Sequence, residues 1–345
     1  MNNLPQDLVE EILSRAPVTS LRRVRSTCKK WHTLFKDGTF TKKHLAQTAE
    51  RKAKGEILAI LLMNFKLSMV RINLHESNPS IKTRGNLTSL NDSHKLEIIQ
   101  VCHCDGLVLC VTEDYTRSVV WNPYTGQTRW ISIELIRAHH RGSWYGHALG
   151  YDKSSHKVLR FYLDYYTDNC LYDIYDVNSK SRRVIDVTVD WEMDDEHHGQ
   201  SLKGNTYWYA QDKEDSDIPD TVTLSSVREE QLAAMFHNKN TCAMEIWVTT
   251  KIEPHGVSWS KFLAVVMDPL SGTLSCHLGR FIVDKEKKTV FVFDVDKARY
   301  TNTAYFIGEN GYFREVDLGE TTTGNVVLRH ALSYVPSSMQ INQLA

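Results

Sequence analysis

Long apolar runs are what this chain of 345 residues most conspicuously lacks. No window approaches the roughly 18 apolar residues of a membrane-spanning helix, and the longest run, residues 57–63, reads as a strand. Charge begins at Asp7, so no secretory leader is expected. Seven cysteines, an odd number without paired spacing, argue against a disulfide framework. They fit free thiols in a reducing compartment, cytoplasmic or nuclear. Signatures of catalysis are equally scarce, with no G-x-S-x-G elbow, Walker loop or Gly-rich dinucleotide turn.

Net charge is nearly absent too, at -1, but the balance is uneven. Residues 1–55 hold 12 Lys and Arg against 5 Asp and Glu, which leaves the remainder 29 against 37. A basic head on an acidic body indicates two modules with different partners. Nucleic acid is the less favoured explanation of the basic head, because helix surfaces lined with Lys and Arg are commonplace.

The head has helical periodicity. Pro5 fits a first turn behind an Asn3 cap, and Leu8, Val9, Ile12, Leu13 and Ala16 fall on one face. Pro17 breaks the run, and Leu21, Val24, Cys28, Trp31 and the Leu34-Phe35 pair follow, with Gly38 as a stop. A segment this small cannot bury its own core, and one with surplus apolar surface is built to dock. Residues 41–54 read as a polar, basic connecting helix.

From Glu56 the period shortens. Residues 57–63 and 67–74 form a hairpin signal around Asn64-Phe65-Lys66. Further strands are expected at 98–102, 107–111, 118–121, 129–133, 158–163, 171–175, 183–187, 206–210, 245–250, 262–267 and 290–293. Residues 227–236 suggest a helix-length exception, and the end of the chain near 332–335 is expected to pair beside 57–74. Four segments share one turn grammar, an apolar strand end followed by Asn or Asp at 122, 176, 268 and 294. The spacing of 54, then 92, nearly twice 46, is a degenerate propeller repeat.

These features resemble a known family. Residues 1–35 look like an F-box. The body is similar to the F-box-associated type I domain of plants, expected to be propeller-like. The resemblance rests on His103-Cys-Asp-Gly-Leu-Val-Leu-Cys, Val120-Trp-Asn-Pro-Tyr-Thr-Gly, Ala148-Leu-Gly-Tyr-Asp, Ser201-Leu-Lys-Gly-Asn-Thr-Tyr, Met244-Glu-Ile-Trp-Val and Ser333-Tyr-Val-Pro-Ser. It implies an all-α F-box at 1–40, a connecting helix at 41–55 and an all-β domain at 56–340. One departure stands out. After Trp208-Tyr-Ala-Gln an acidic stretch leads directly to Val222-Thr-Leu, so a strand pair of one unit is missing and one blade is expected to be short, with a disordered acidic loop.

By the same resemblance the chain is a non-catalytic substrate receptor of an SCF-type ubiquitin ligase, without cofactor. Leu4, Pro5, Leu8, Ile12, Leu13, Leu21, Val24, Cys28 and Trp31 would face a Skp-family adaptor, which carries the cullin and RING subunits. Val9 and Ala16 are assigned to internal packing. The β domain would hold an unknown protein substrate. The alternative is a propeller binding module, lectin-like or regulatory, acting outside a ligase; a propeller hydrolase is a distant third. The metal readings are weak. Cys102 and Cys104 would share one side of a strand with His103 opposite, and His139-His140, His197-His198 and the acidic loop read as solvated. Trp121, Trp130, Trp208, Trp247 and Trp259 are read first as core.

Overall fold

Four helices precede a ring of β-sheets in the computed structural model. It describes residues 4–53, 55–73, 80–86, 97–132, 143–152, 155–164, 169–193, 198–212, 220–228, 230–238, 241, 243–253, 255–266, 280–296, 301–320 and 330–341. The helices are α1 (Gln6–Ser14), α2 (Leu21–Thr27), α3 (Lys29–Leu34) and α4 (Gly38–Ala53), with a 3-10 turn at Val18–Ser20 between the first two. Pro5 stands at the cap of α1, where its missing N–H costs nothing. Asp37, not Gly38, marks the next boundary: its Oδ1 accepts the N–H groups of Thr39 and Phe40, so Gly38 begins α4 rather than ending α3.

Five four-stranded antiparallel sheets form a β-propeller. Blade 1 joins β1 (Glu56–Met63), β2 (Lys66–Asn73) and β3 (Ser80–Asn86) to the far end of the chain. Blade 2 holds β4 (Ile98–Cys104), β5 (Leu107–Thr112), β6 (Arg117–Trp121) and β7 (Thr128–Ser132). Blade 3 holds β8 (Ser143–Tyr151), β9 (His156–Asp164), β10 (Asn169–Asp176) and β11 (Arg182–Thr188). Next come two small sheets: β12 (Trp191–Glu192) pairs with β15 (Gln211–Asp212), and β13 (Gln200–Leu202) with β14 (Asn205–Tyr207).

Blade 4 holds β16 (Asp220–Val227), β17 (Gln231–Asn238), β18 (Ala243–Glu253) and β19 (Gly256–Val266). Blade 5 holds β20 (Arg280–Asp284), β21 (Thr289–Asp296), β22 (Thr301–Gly308) and β23 (Phe313–Glu320). Finally β24 (His330–Ser333) returns to blade 1 as its innermost strand. It pairs with β1 in the register Ala59↔Ser333 to Leu62↔His330, so the two ends of the ring share a sheet, as the sequence led one to expect. Such closure removes the free edges that promote aggregation.

Blades packed on both faces need continuous apolar strands rather than alternation. In β4 and β5 every residue is buried, polar Gln100 and His103 included. Two-residue turns match the strand twist through positive φ, at Asn64-Phe65 (53° and 59°) and Asp105-Gly106 (50° and 76°). Gly106 is doubly required, because a Cβ there would come within 2.8 Å of the Ser337 backbone nitrogen.

Several expectations change. Residues 227–236 run from the end of β16 into β17, where Ala233, Ala234 and Met235 are buried between two neighbouring strands. A short apolar run suits a helix or a buried strand equally, and strand pairing decides here. Asn122 and Asp176 do accept forward backbone N–H bonds as turn residues. Asp294 instead lies within β21, while Asp284 makes the turn before it. Asn3, Asp268 and residues 213–219 of the acidic stretch lie outside the described residues.

Residues 41–54 do more than connect. In α4, Phe40, Thr41 and His44 are buried, and His44 Nε2 bonds the carbonyl of Ala16 at 2.8 Å. Leu13, Val18, Leu21, Leu34, Phe35 and Phe40 belong to one cluster with Tyr124, Leu332 and Tyr334 of the ring. Head and ring therefore share a core.

Candidate functional sites

The helical head turns two faces in two directions. Val9 and Ala16 pack inward against the shared core, as expected, and Leu13 (6% exposed) and Leu21 (0%) are fully part of it. Those last two were expected to face a partner; the structure gives them to the chain's own core, because the ring supplies the apolar surface they need. Leu4, Leu8 and Ile12, four residues apart, form an outward stripe at 49%, 50% and 58% exposure. Pro5 and Cys28 are exposed beside solvent, whereas Val24 and Trp31 are half-buried against the core. Cys28 interrupts the helices with extended backbone, φ -158°, which lets α3 depart from the line of α2.

Charges hold the stripe in place. Glu11, next to Ile12, pairs with Lys43 of α4 at 2.7 Å and with Arg15 at 2.6 Å. The Lys43 hydrogen bond, then that of Arg15, keeps this carboxyl below its usual range. Arg25 extends from α2 to the turn after β6, donating to the Tyr124 carbonyl. Its guanidinium lies 5.0 Å from the Phe35 ring centre and 5.7 Å from that of Tyr124. Burial lowers the Arg25 pKa and pushes the Tyr124 phenol up to about 12.

The head thus sits on the face of the ring that carries the turns after the first and third strands of each blade. The opposite face carries the turns after the second strands and the links between blades. On the blade sides, Trp121 is buried, but Trp130 and Trp259 are 39% and 37% exposed. Both were read as core; they lie on outermost strands, where no further blade covers them. Arg117 stands 5.6 Å from the Trp130 ring. On blade 4 a groove of about 640 Å³ runs between Phe236, Trp247 and Trp259. There Lys261 lies over Trp247 at 5.0 Å and pairs with Glu245 at 2.7 Å. A larger cleft of about 960 Å³ lies between blades 3 and 4, lined by Tyr151 and Ile174 of blade 3, Thr250 and Val257 of blade 4, and the strands β13 and β14.

Burial governs the thiols and imidazoles at the centre of blades 2 and 3. Burial pushes the Cys102 thiol up to about 12 and raises that of Cys110. Cys102 donates to the His147 carbonyl at 3.2 Å, so it is a core thiol. Burial lowers His103 to about 4 and His147 to about 3. Among the described residues no three His, Cys, Asp or Glu side chains are placed to hold a metal ion. Asp173 lies between Arg160 and Arg182 as a cross-strand charge set, each pair at 2.7 Å, with Arg160 and Asp173 buried.

A closed ring with a helical head that keeps an apolar stripe in water defines a two-part docking protein. The comparisons give it a family: the F-box domain matches residues 1–43, and the F-box associated beta propeller domain matches residues 58–219 and 214–341. The chain belongs to the F-box proteins that carry this propeller domain. A putative F-box protein of Arabidopsis thaliana is 47% identical over 391 positions, covering 99% of this chain and 96% of the relative. An F-box/kelch-repeat protein of the same plant is 42% identical over 395 positions, with 99% of each chain covered. Among solved structures, TolB from Acinetobacter baumannii superimposes with a TM-score of 0.42 at 11% identity, over 83% of this chain and 72% of that one. That likeness is too distant to bear on function.

Proposed function

We propose that the chain is the substrate-recognition subunit of an SCF-type E3 ubiquitin ligase. The Leu4, Leu8 and Ile12 stripe, with Pro5 and Cys28, binds a Skp-family adaptor and through it the cullin and RING subunits. Val24 and Trp31 contribute only their exposed edges. The observation that carries this reading is that stripe: Leu8 and Ile12 on α1 and Leu4 just ahead of it stand about half in water, while the other face of α1 packs on the shared core. Exposed apolar clusters of this kind mark docking sites. The ring holds a target protein, and ubiquitin transfer is accelerated by effective concentration rather than by side-chain chemistry.

The unit between blades 3 and 4 is a shortened blade in this reading. Two facts support it. The alignment to the 47% relative spans 391 positions against a chain of 345, so at least 46 of them have no residue here. The propeller family also matches as two stretches that meet at residues 214–219.

The test is co-purification of the adaptor with full-length protein carrying Leu8→Ala and Ile12→Ala together. Each truncation should weaken adaptor binding about tenfold or more. Wild-type retention of the adaptor by the folded double variant overturns the assignment. The exposed Trp130 and Trp259 suit the alternative, a glycan-binding module outside a ligase. A glycan-array signal that both indoles control, in protein that binds no adaptor, would favour it.

A further inference from the structure

A propeller blade ends in an outermost strand whose far edge has no neighbour, and charge or shortness normally keeps such an edge from pairing with another chain. Four of the five outermost strands here are protected in that way. Lys82 and Arg84 lie on β3, Arg182, Arg183 and Asp186 on β11, and Arg314, Glu315, Asp317 and Glu320 on β23, while β7 is five residues long. Strand β19 is the exception. It runs for 11 residues, GVSWSKFLAVV, with Lys261 as its one charge, and no strand lies beyond it among the described residues. At about 3.3 Å per residue that edge is roughly 35 Å long.

Its one charge does not guard it. Lys261 Nζ is held by Glu245 of β18 at 2.7 Å and lies 5.0 Å from the Trp247 ring centre, back over the blade rather than out past the edge. Every residue from Gly256 to Lys261 is exposed, Val257 at 41% and Trp259 at 37%. The Ser258 carbonyl accepts the Thr250 hydroxyl of β18, so the backbone of Ser258 faces inward. Alternation along the strand then turns the N–H and C=O groups of Val257, Trp259 and Lys261 to the open edge. A row of such groups specifies an extended strand as its occupant, because another backbone offers donors and acceptors at that spacing.

We propose that the occupant is β19 of a second copy of this chain, paired antiparallel about a two-fold axis at Trp259. In that register the edge is matched to itself. Trp259 lies opposite its own counterpart as an aromatic cross-strand pair, and Ser258 lies opposite Ser260 of the second copy. Val257 lies opposite the second Lys261, whose hydrocarbon stem covers it. The two Lys261 side chains stand about 13 Å apart along the strands, so no like charges face each other. The outward groups of Val257, Trp259 and Lys261 then make about six backbone hydrogen bonds. A two-fold contact is closed, so assembly stops at a dimer. Antiparallel pairing turns the second ring over, which leaves the two heads on opposite sides with both stripes open. The dimer is independent of the adaptor reading, and it stands whether or not the chain serves a ligase.

Analytical ultracentrifugation of the full chain between about 1 and 100 µM tests it. One strand pair covers less than a standard interface, so the dimer is expected to form within that micromolar range. Hydrogen exchange at the two ends of the range should show the Val257, Trp259 and Lys261 amides about tenfold slower in the dimer. Trp259→Lys sets two ammonium groups face to face from an exposed position. It should weaken the dimer about tenfold or more while the monomer melts as before. Leu8→Ala with Ile12→Ala should leave the dimer unchanged. A chain that stays monomeric at about 100 µM overturns the proposal, as does a dimer that Trp259→Lys does not weaken. A dimer lost with the Leu8 and Ile12 pair instead, or one that leaves residues 256–262 unprotected, overturns it too.

Discussion

In β4 every residue from Ile98 to Cys104 is buried, whereas Leu8 and Ile12 of α1, with Leu4 just ahead of it, stand about half in water. The strand has a blade on either side, and the helix has the ring on one side alone. The ring covers its innermost strands, in part with the head itself, whereas the head leaves one apolar face in water. The difference separates two kinds of apolar residue that look alike in the chain: those that specify the fold and those held in reserve for docking. Their mutational behaviour should differ accordingly.

The largest effect should come from the element that serves both regions. Removing residues 330–341 takes β24 from β1 and takes Leu332 and Tyr334 from the core that also holds Leu21 and Phe35. We expect loss of cooperative unfolding in ring and head together, seen by near-ultraviolet circular dichroism. A truncated chain that melts like the full one would show that the two regions do not share a core.

Next in size is the contrast within the head. Leu21→Ala should cost about 2–5 kcal/mol in denaturant unfolding, as for other fully buried leucines. Leu8→Ala should cost less than about 0.5 kcal/mol, yet lose adaptor affinity. Equal destabilisation by the two would mean that the outer stripe packs within the chain.

Acid should then act on the ring. His103 and His147 have folded pKa values near 4 and 3, lowered by burial, against an unfolded value of 6.5. Below 6.5 the unfolded chain therefore binds more protons. Stability is full above that pH and falls toward 4, by up to about 2 kcal/mol per histidine at pH 5. His103→Gln, whose amide oxygen can stand in for Nε2 as acceptor of the Gly106 N–H, should flatten that slope. A slope that His103→Gln leaves unchanged would remove His103 from this account.

The smallest effect tests the seam. Arg25→Lys keeps the charge but loses the flat stacking against Phe35 and Tyr124, and should cost about 1 kcal/mol. A neutral result in denaturation would leave the seam to α4 alone.

Much of the ring was legible because short apolar runs bounded by turn residues, such as 57–63 and 107–111, carry a strong strand signal. Some segments missed have a weak pattern, β3 being largely polar and β8 interrupted by Gly146 and Gly150, but β20 and β22 went unread although their apolar runs are strong. In the head the helical period located the apolar stripe, but a period gives no account of which neighbour covers which face. Leu13 and Leu21 could be assigned to the core only once Tyr124 and Leu332, far away in sequence, stood beside them. Trp130 and Trp259 failed for a related reason. Exposure depends on a strand's rank across its blade, and rank is a property of the assembled ring.

The pairing of β1 with β24 also sets a timetable. Strand β24 lies roughly 270 residues downstream of β1. During synthesis at about 5–20 residues per second, β1 waits roughly 15–55 s for its inner neighbour. Through that interval the head has emerged with its inner face short of Leu332 and Tyr334, so its docking stripe is not yet held as in the finished chain. A chain interrupted before residue 330 keeps an open edge and an uncovered core, both of which attract chaperones and proteases. Closing the ring at β24 therefore also completes the surface against which the head packs.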